Sequence, residues 1–256
     1  MRYGIGFPAW DAIIRGDMKY ADTIVPVSES LSTELRNSYP IDLGKVSTIH
    51  TGVDIKHLQR VAEKPLGKPD HATSKKIRLF WAGRLTWRKG IVHLLKSLSY
   101  LAHEIGFTAF ELEIFGLGPL EATIRKIVSL SGLSQNVRFR GFVEYADMIS
   151  SMRVNDVVCF PSLYEACPLG LIEAMALGKP VIAFDRPFSR ELMGNDQDLP
   201  MAKSIEDYAR NVLKLSLSVS LRDRVGERLR ARARDIFDIA IIADEYSKVY
   251  QKVIVQ

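Results

Sequence analysis

Short apolar runs alternate with amphipathic helical patterns along the chain from Lys76 onward. Five of these runs have the length and composition of buried strands, and they lie at residues 77–81, 110–115, 136–140, 156–160 and 180–183. From Ile91 to Ile105, apolar residues recur every three or four positions, which predicts an amphipathic helix. Further helices are predicted over 119–130 and from about Leu169. Repeated βα units feed parallel sheets, so the pattern predicts an α/β, Rossmann-like parallel sheet with helices on both faces.

The two ends of the chain have different patterns. The first part predicts a helix at 10–20, a strand at 23–27, a helix at 30–38 and a strand at 45–50. These elements are too few to bury a sheet of their own, so we interpret them as the tail of another domain. After Ser189 helices dominate, at 204–216, 220–235 and 238–254. We therefore divide the chain into a domain tail at 1–59, a Lys-, Pro- and Gly-rich linker at 60–75, a Rossmann-like domain at 76–236 and a C-terminal helix at 237–256.

Composition narrows the protein class without choosing a ligand. Hydrophobic residues make up 47% and charged residues 25% of the 256, which is ordinary for a globular protein. The net charge of +5 suits an anionic small molecule, a membrane surface or a nucleic acid equally well. Two cysteines cannot form a disulfide framework or a four-cysteine zinc site. With no bilayer-length apolar stretch and no signal-peptide pattern, the expected location is cytoplasmic.

The helix predicted over 220–235 is rich in arginine. Its apolar residues lie on one side, and the rest carries Arg222, Arg224, Arg228, Arg230, Arg232 and Arg234. A solvated helix face is the interpretation we favour. Contact with anionic lipid, at the inner face of the membrane, is the alternative.

Glycines and polar residues follow four of the predicted strands. These segments are residues 83–90, 116–119, 141–143 and 161–173. Ligands of open parallel sheets bind outside the carboxyl ends of the strands, so we expect the four segments to converge on one cleft. Arg84 and Lys89 near a helix start make an anion site, since unpaired N–H groups and the helix dipole also favour negative charge. Glu165 and Glu173 would face the same cleft, where carboxylates suit ribose and sugar hydroxyls.

These residues resemble a known family. The motifs that carry the resemblance are Gly83-Arg84-Leu85-x-x-x-Lys89-Gly90 and Pro161-Ser162-x-x-Glu165-Ala166-Cys167-Pro168-Leu169-x-x-x-Glu173-Ala174-Met175-Ala176-x-Gly178-x-Pro180. Together they resemble the sugar-donor half of family 4 glycosyltransferases, which are retaining enzymes of the GT-B fold. The likeness covers roughly residues 20–255, and in that family the last helix crosses back to the N-terminal, acceptor-side domain.

The resemblance implies a diphosphate site. Arg84 and Lys89 match the family's diphosphate-binding pair, and Gly83 lies where the backbone passes close to the phosphates. The N–H groups of Leu169 and Gly170, at a helix start, match the family's contacts to phosphate and sugar.

The same resemblance assigns the sugar, ribose and base contacts. Glu165 matches the carboxylate that holds a hydroxyl of the transferred sugar, and Glu173 matches the one that holds the ribose. Phe142 and Val143 fall in the loop whose main chain borders the base. The implied catalytic residues are Arg84, Lys89 and Glu165.

The implied reaction moves a hexosyl group from a nucleotide-diphosphate sugar to a glycan or lipid-linked glycan, with retention, as in polysaccharide biosynthesis. Fixed cations stabilise the departing diphosphate, so neither a metal nor a cofactor is expected. Asp196-Gln197-Asp198 spells a metal-binding pattern of another glycosyltransferase fold, and we interpret it as coincidental.

Other functions fit less well. A nucleotide-sugar-binding module, inactive until an N-terminal domain or a partner chain supplies the acceptor side, is the main alternative. A nucleotide-sugar epimerase of related fold also stays open. A glycoside hydrolase would have no use for cations against a neutral leaving group. The segment after the second strand lacks the third glycine of a dinucleotide motif, and the arginine-rich helix lacks aromatics for nucleic-acid stacking.

Overall fold

The computed structural model describes residues 16–64 and 76–255. Within these ranges one six-stranded parallel sheet has the order β3-β2-β1-β4-β5-β6. Its strands are β1 (Ile77–Ala82), β2 (Phe110–Phe115), β3 (Val137–Gly141), β4 (Val157–Phe160), β5 (Val181–Phe184) and β6 (Met201–Ala202). The predicted α/β fold class is confirmed, and β6, at two residues, is too short to give a sequence signal.

Helices occupy most of the remaining described chain. They are α1 (Glu29–Ser38), α2 (Ile55–Ala62), α3 (Ile91–His103), α4 (Glu121–Leu130), α5 (Tyr145–Val154), α6 (Leu169–Ala176), α7 (Pro187–Met193), α8 (Ile205–Leu217), α9 (Val219–Ile236) and α10 (Ile239–Ile254). The end of α2 occupies residues 60–62 of the predicted linker. Residues 65–75 of that linker and residues 10–15 of the first predicted helix lie outside the described residues.

Alternating residues of the strands bury two hydrophobic cores, one on each face of the sheet. Leu79 and Trp81 of β1 belong to the core that includes residues of α3 and α8. Phe80, between them, belongs to the other core, with residues of α6 and α9. Successive side chains of a strand point to opposite faces, so a sheet buried on both sides needs near-continuous apolar strands. Helices therefore cover both faces, as the sequence pattern predicts.

The two strands predicted in the first part of the chain are wrong as extended elements. They pair only over a short stretch: a parallel bridge joins Ile24 and Val46, where the Ile24 N–H donates to Lys45 O and the Ser47 N–H donates to Ile24 O. The Ile49 N–H donates to the Pro26 carbonyl at 3.1 Å, but Pro26 has no N–H with which to continue the ladder.

The start of α10 packs against the segment that precedes α2. Val53 forms a parallel bridge with Asp238, one residue before α10. A Cβ atom on Gly52 would lie 2.9 Å from a side-chain carbon of Ile242 and 3.1 Å from the Cα of Ile239. Only glycine allows this approach without movement of the helix, so Gly52 fixes where α10 begins relative to the first part of the chain.

Candidate active site

The order of the strands reverses between β1 and β4. From β1 the chain continues to β2 and β3 on one side of the sheet, and from β4 it continues to β5 and β6 on the other. Such a switch point opens a crevice at the carboxyl ends of the two central strands. The predicted site segments 83–90 and 161–173 directly follow β1 and β4, so the fold places both at this crevice.

Main-chain hydrogen bonds join the loops around the crevice. The N–H of Gly83 donates to Phe115 O at 3.0 Å, and that of Leu163 donates to Arg88 O at 2.8 Å. A Cβ atom on Gly90, whose φ is 67°, would lie only 1.8 Å from the Pro161 carbonyl oxygen. Gly90 is therefore the residue that lets the start of α3 approach the loop after β4.

Lys89 and Glu165 form an ion pair across the crevice. The Lys89 Nζ lies 2.7 Å from Glu165 Oε1, and the carboxylate side chain is only 14% exposed. The aliphatic stem of Lys89 passes Gly83, where a Cβ atom would lie 3.7 Å from Lys89 Cδ. The structure thus brings together a cation predicted for phosphate and a carboxylate predicted for the sugar.

Arg84 is exposed at the end of β1, next to Gly83. Among the described residues, no hydrogen bond or ion pair joins its guanidinium to Lys89 or Glu165. Arg84 therefore shares the strand end with the ion pair but is not part of it. Its guanidinium remains able to make a bidentate contact with an anion.

Glu173 lies in a different environment from Glu165. It is buried, with 8% of its surface exposed, and the Tyr145 hydroxyl donates to its Oε1 at 2.6 Å. A Cβ atom on Gly170 would lie 4.0 Å from Glu173 Oε2, so the carboxylate reaches back over the first turn of α6. Burial raises the pKa of Glu173, and the Tyr145 hydrogen bond offsets part of that rise.

Two helices begin at the crevice without a side-chain cap. The N-cap residue of α3 is Gly90 and that of α6 is Pro168, and neither makes a side-chain capping hydrogen bond. The first N–H groups of a helix have no partner within it, so those of Leu169 and Gly170 are available to an anion. This arrangement places the predicted main-chain donors beside Glu173.

The loop after β3 completes the border of the crevice. The Gly116 N–H donates to Gly141 O at 2.6 Å, which joins this loop to the one after β2. Phe142 is 73% exposed, whereas Val143 packs against the core of α6 and α9.

Sequence reasoning missed three polar residues that make long-range hydrogen bonds. The Tyr145 hydroxyl donates to Glu173. The available signal in the sequence was its position, because an aromatic residue stands only two positions after Val143 of the predicted base loop.

The other two residues contact the first part of the chain. The Tyr164 hydroxyl donates to Glu34 of α1 at 2.6 Å. Glu191 of α7 accepts from three groups of the first part of the chain, namely Glu29 N at 2.6 Å, Ser30 N at 3.0 Å and His50 Nε2 at 2.8 Å. Tyr164 and Glu191 thus connect α1 and its surroundings to the Rossmann-like sheet.

Asp196 and Asp198 lie against a cation, and the surroundings of both cysteines raise the pKa of their thiols. Arg228 forms ion pairs with Asp196 and Asp198. Among the described residues, no group of three or more His, Cys, Asp or Glu side chains is arranged to hold a metal ion. Burial raises the pKa of the Cys159 thiol to about 12 and also raises that of Cys167, which disfavours a reactive thiolate.

Two arginines of α9 cap neighbouring helices. Arg222 donates to Leu215 O at 2.6 Å, and Arg232 donates to Leu192 O at 2.7 Å. Both carbonyls belong to last turns, of α8 and α7, where cations are favourable. In the chain as far as it is described, no helix has the length and hydropathy needed to cross a bilayer.

The sequence profile of the family "Glycosyl transferases group 1" matches residues 65–232, which is more than half of the chain. The protein therefore belongs to this glycosyltransferase family.

Individual relatives agree with this classification. An uncharacterized glycosyltransferase of Methanocaldococcus jannaschii is 25% identical, over 89% of this chain and 63% of the relative. Spore coat protein SA of Bacillus subtilis is 27% identical, over 90% of this chain and 64% of that protein. An MMP alpha-(1→4)-mannosyltransferase of Mycolicibacterium hassiacum is 23% identical, over 90% and 54%. The chain thus spans 54% to 64% of the length of these relatives.

Solved structures share the fold. HepE of Anabaena, in complex with UDP, superposes with a TM-score of 0.81 at 16% identity, over 96% of this chain and 69% of that one. TarM of S. aureus, in complex with fondaparinux, alpha-GlcNAc-glycerol and UDP, gives 0.75 at 19% identity, over 95% and 47%. The fold is that of GT-B glycosyltransferases.

Proposed function

We propose that this chain contains the sugar-donor site of a retaining family 4 glycosyltransferase. The observation that carries the proposal is the Lys89–Glu165 ion pair at the β1–β4 switch point, beside the uncapped start of α6. A nucleotide-diphosphate sugar has two negatively charged phosphates next to a neutral polyol. A cation and helix N–H groups suit the phosphates, and a carboxylate at the same crevice suits the hydroxyls of the polyol.

The diphosphate would bind at the phosphate side of the crevice. We assign its contacts to Arg84, Lys89, the backbone at Gly83 and the N–H groups of Leu169 and Gly170. During transfer the bond between sugar C1 and the phosphate oxygen breaks, and its electron pair stays on the diphosphate. These groups stabilise that charge where it develops. The acceptor oxygen forms the new bond to C1 from the face that the phosphate leaves, and its proton passes to the departing phosphate oxygen.

Hydroxyl groups of the sugar donor would bind to the two carboxylates. We assign Glu165 to the transferred sugar, because its ion pair with Lys89 holds it beside the phosphate that carries the sugar. Glu173 is assigned to the ribose, and the main chain at Phe142 and Val143 to the base. Neighbouring structures were solved with UDP, and one of them with UDP and glucose, so UDP-sugars are the first donors to test.

The acceptor is proposed to be a glycan or a lipid-linked glycan that binds mainly to a further domain or a partner chain. Before the linker, the described residues contain helical residues at 16–20, α1, one short 3₁₀ helix, α2 and isolated bridges, which are too few elements to bury a sheet of their own. A nucleotide-sugar-binding module that needs such a partner is therefore the second candidate function. A lipid-linked acceptor would place the protein at the cytoplasmic membrane face, with exposed Arg224, Arg230 and Arg234 toward the lipid.

Calorimetry with UDP-, GDP- and ADP-sugars tests the donor site. We expect the chain to bind one of these bases with its sugar, and to bind the corresponding bare diphosphate less tightly. A folded chain that binds none of the nucleotides would contradict the proposal. Transfer assays on the chain alone, and on the chain mixed with an acceptor-side domain of a relative, would then separate an enzyme from a binding module.

A further inference from the structure

We infer that Tyr145 is a positioning residue that holds the Glu173 carboxylate for the ribose and thereby makes the site selective for nucleotides with a 2′-hydroxyl. This inference rests on the proposed function, and it adds a residue and a selectivity that the motif does not contain. Three observations carry it: the contact of Tyr145, the orientation of the carboxylate, and the exposure of the phenol ring.

The contact joins two separate strand ends of the sheet. Tyr145 is the first residue of α5, which follows β3, whereas Glu173 lies on α6, which follows β4. In the sheet, β3 and β4 are separated by β2 and β1. The hydrogen bond of 2.6 Å from the phenol to Glu173 Oε1 therefore spans the crevice side of the sheet.

The two oxygens of the Glu173 carboxylate have different neighbours. Tyr145 donates to Oε1, and Oε2 lies on the side of Gly170, which has no side chain to fill the space. A glutamate side chain has several rotamers, and a hydrogen bond from a fixed phenol favours one of them. With Oε1 fixed by Tyr145, Oε2 is held near Gly170, in the first turn of α6.

A ribose is the part of the ligand that such a carboxylate recognises. Its neighbouring 2′- and 3′-hydroxyls are both hydrogen-bond donors, and an ionised carboxylate is an acceptor only. A site built around a buried polar group discriminates strongly against an analogue that lacks the partner hydroxyl, because the buried group is left unpaired. A 2′-deoxy nucleotide would leave the buried Glu173 carboxylate with its Tyr145 hydrogen bond but with one ribose hydroxyl fewer.

The exposure of Tyr145 separates a positioning role from a packing role. Its side chain is 47% exposed, and the described hydrophobic cores do not include it. Tyr145→Phe removes the hydroxyl and keeps the ring. The fold should therefore be unaffected, and only the hydrogen bond to Glu173 is lost.

The test compares each bare diphosphate with its 2′-deoxy analogue by calorimetry. The probes are UDP, GDP and ADP with dUDP, dGDP and dADP, and the proteins are the wild type, Tyr145→Phe and Tyr250→Phe. Tyr250 is an exposed residue of α10 and serves as the matched control. For the base that binds, the wild type should prefer the ribonucleotide by about tenfold or more.

Tyr145→Phe should reduce the affinity for the ribonucleotide by about tenfold and change the affinity for the deoxy analogue much less. Tyr250→Phe should match the wild type with both, and the melting temperatures of all three proteins should agree. Equal losses for both nucleotides in Tyr145→Phe, or no loss at all, would overturn the inference while leaving the proposed function intact. A wild type that binds no nucleoside diphosphate would overturn the proposed function and the inference with it.

Discussion

The two carboxylates of the motif, eight residues apart, lie in opposite environments. Glu165 pairs with the Lys89 ammonium, whereas Glu173 is buried and receives a hydrogen bond from the neutral Tyr145 hydroxyl. The cation half of the site, Lys89 with Glu165, suits a charged ligand group and the sugar next to it. The phenol half, Tyr145 with Glu173, suits an uncharged diol. Identical side chains in one motif thus acquire different chemistry from their neighbours, and each half can be broken separately.

The largest effect is expected from Gly90→Ala, which disturbs the cation half. The new methyl group would collide with the Pro161 carbonyl, and the φ of 67° is unfavourable for alanine. We expect a loss of about 2–4 kcal/mol in the free energy of unfolding, measured by urea denaturation. Gly106→Ala is the control, because its φ is 79° but no atom lies within 4 Å of the added Cβ. Equal losses in both variants would show that the approach to Pro161 is unimportant.

Removal of the ammonium in Lys89→Ala should weaken binding of the bare diphosphate by about tenfold to a hundredfold. The ligand loses a charged contact, and the Glu165 carboxylate is left without its cation near the phosphates. Calorimetry against Lys96→Ala, which removes an exposed cation of α3, provides the comparison. Similar affinity in the two variants would show that Lys89 does not bind the diphosphate.

Glu173→Ala and Glu165→Ala test which part of the ligand each carboxylate binds. Glu173→Ala should weaken binding of the bare diphosphate and of the sugar nucleotide by about tenfold, because both carry the ribose. Glu165→Ala should weaken only the sugar nucleotide, since the bare diphosphate still finds Lys89 and loses a nearby negative charge. Calorimetry with both ligands measures these affinities. If the two variants lose affinity for the same ligands, the assignment of Glu173 to the ribose and Glu165 to the sugar is wrong.

The smallest expected effect is a change of diphosphate affinity with pH, and it depends on Glu173 of the phenol half. The pKa of Glu173 is raised in the folded protein, so the folded state takes up its proton at a higher pH than the unfolded chain does. Protonation of Glu173 therefore adds stability as pH falls through the raised pKa, while the same proton replaces a charged acceptor for the ribose hydroxyls with a neutral, weaker one. We expect a few-fold loss of diphosphate affinity over that window. Glu173→Gln should lack both changes, and parallel profiles for the two proteins would refute this account.

The sequence predicted five of the six strands that the structure describes, but fewer of the contacts between the segments that follow them. Strands such as β1 and β4 carry strong apolar patterns, and topology alone then places the segments after them together. The helix α5 was missed because Ser150 and Ser151 interrupt its apolar face, and Tyr145 was missed with it. Its bond to Glu173 joins residues 28 apart in sequence, and local periodicity contains no information about such pairs.

The arginines of α9 show the same limit. Their spacing describes a polar helix face, and this is correct for Arg224, Arg230 and Arg234, which are exposed. Arg222 and Arg232 instead bind carbonyls at the ends of α8 and α7. Which carbonyl lies within reach depends on how the helices pack, and that packing is not encoded in the spacing of one helix.

The crevice loops are held to one another by main-chain atoms, as between Gly83 and Phe115 or Leu163 and Arg88. Bonds of this kind do not depend on which side chains the loops carry. Exposed positions on these loops, such as Trp87 and Phe142, are therefore suitable for saturation mutagenesis, because new side chains there leave the main-chain bonds between the loops in place.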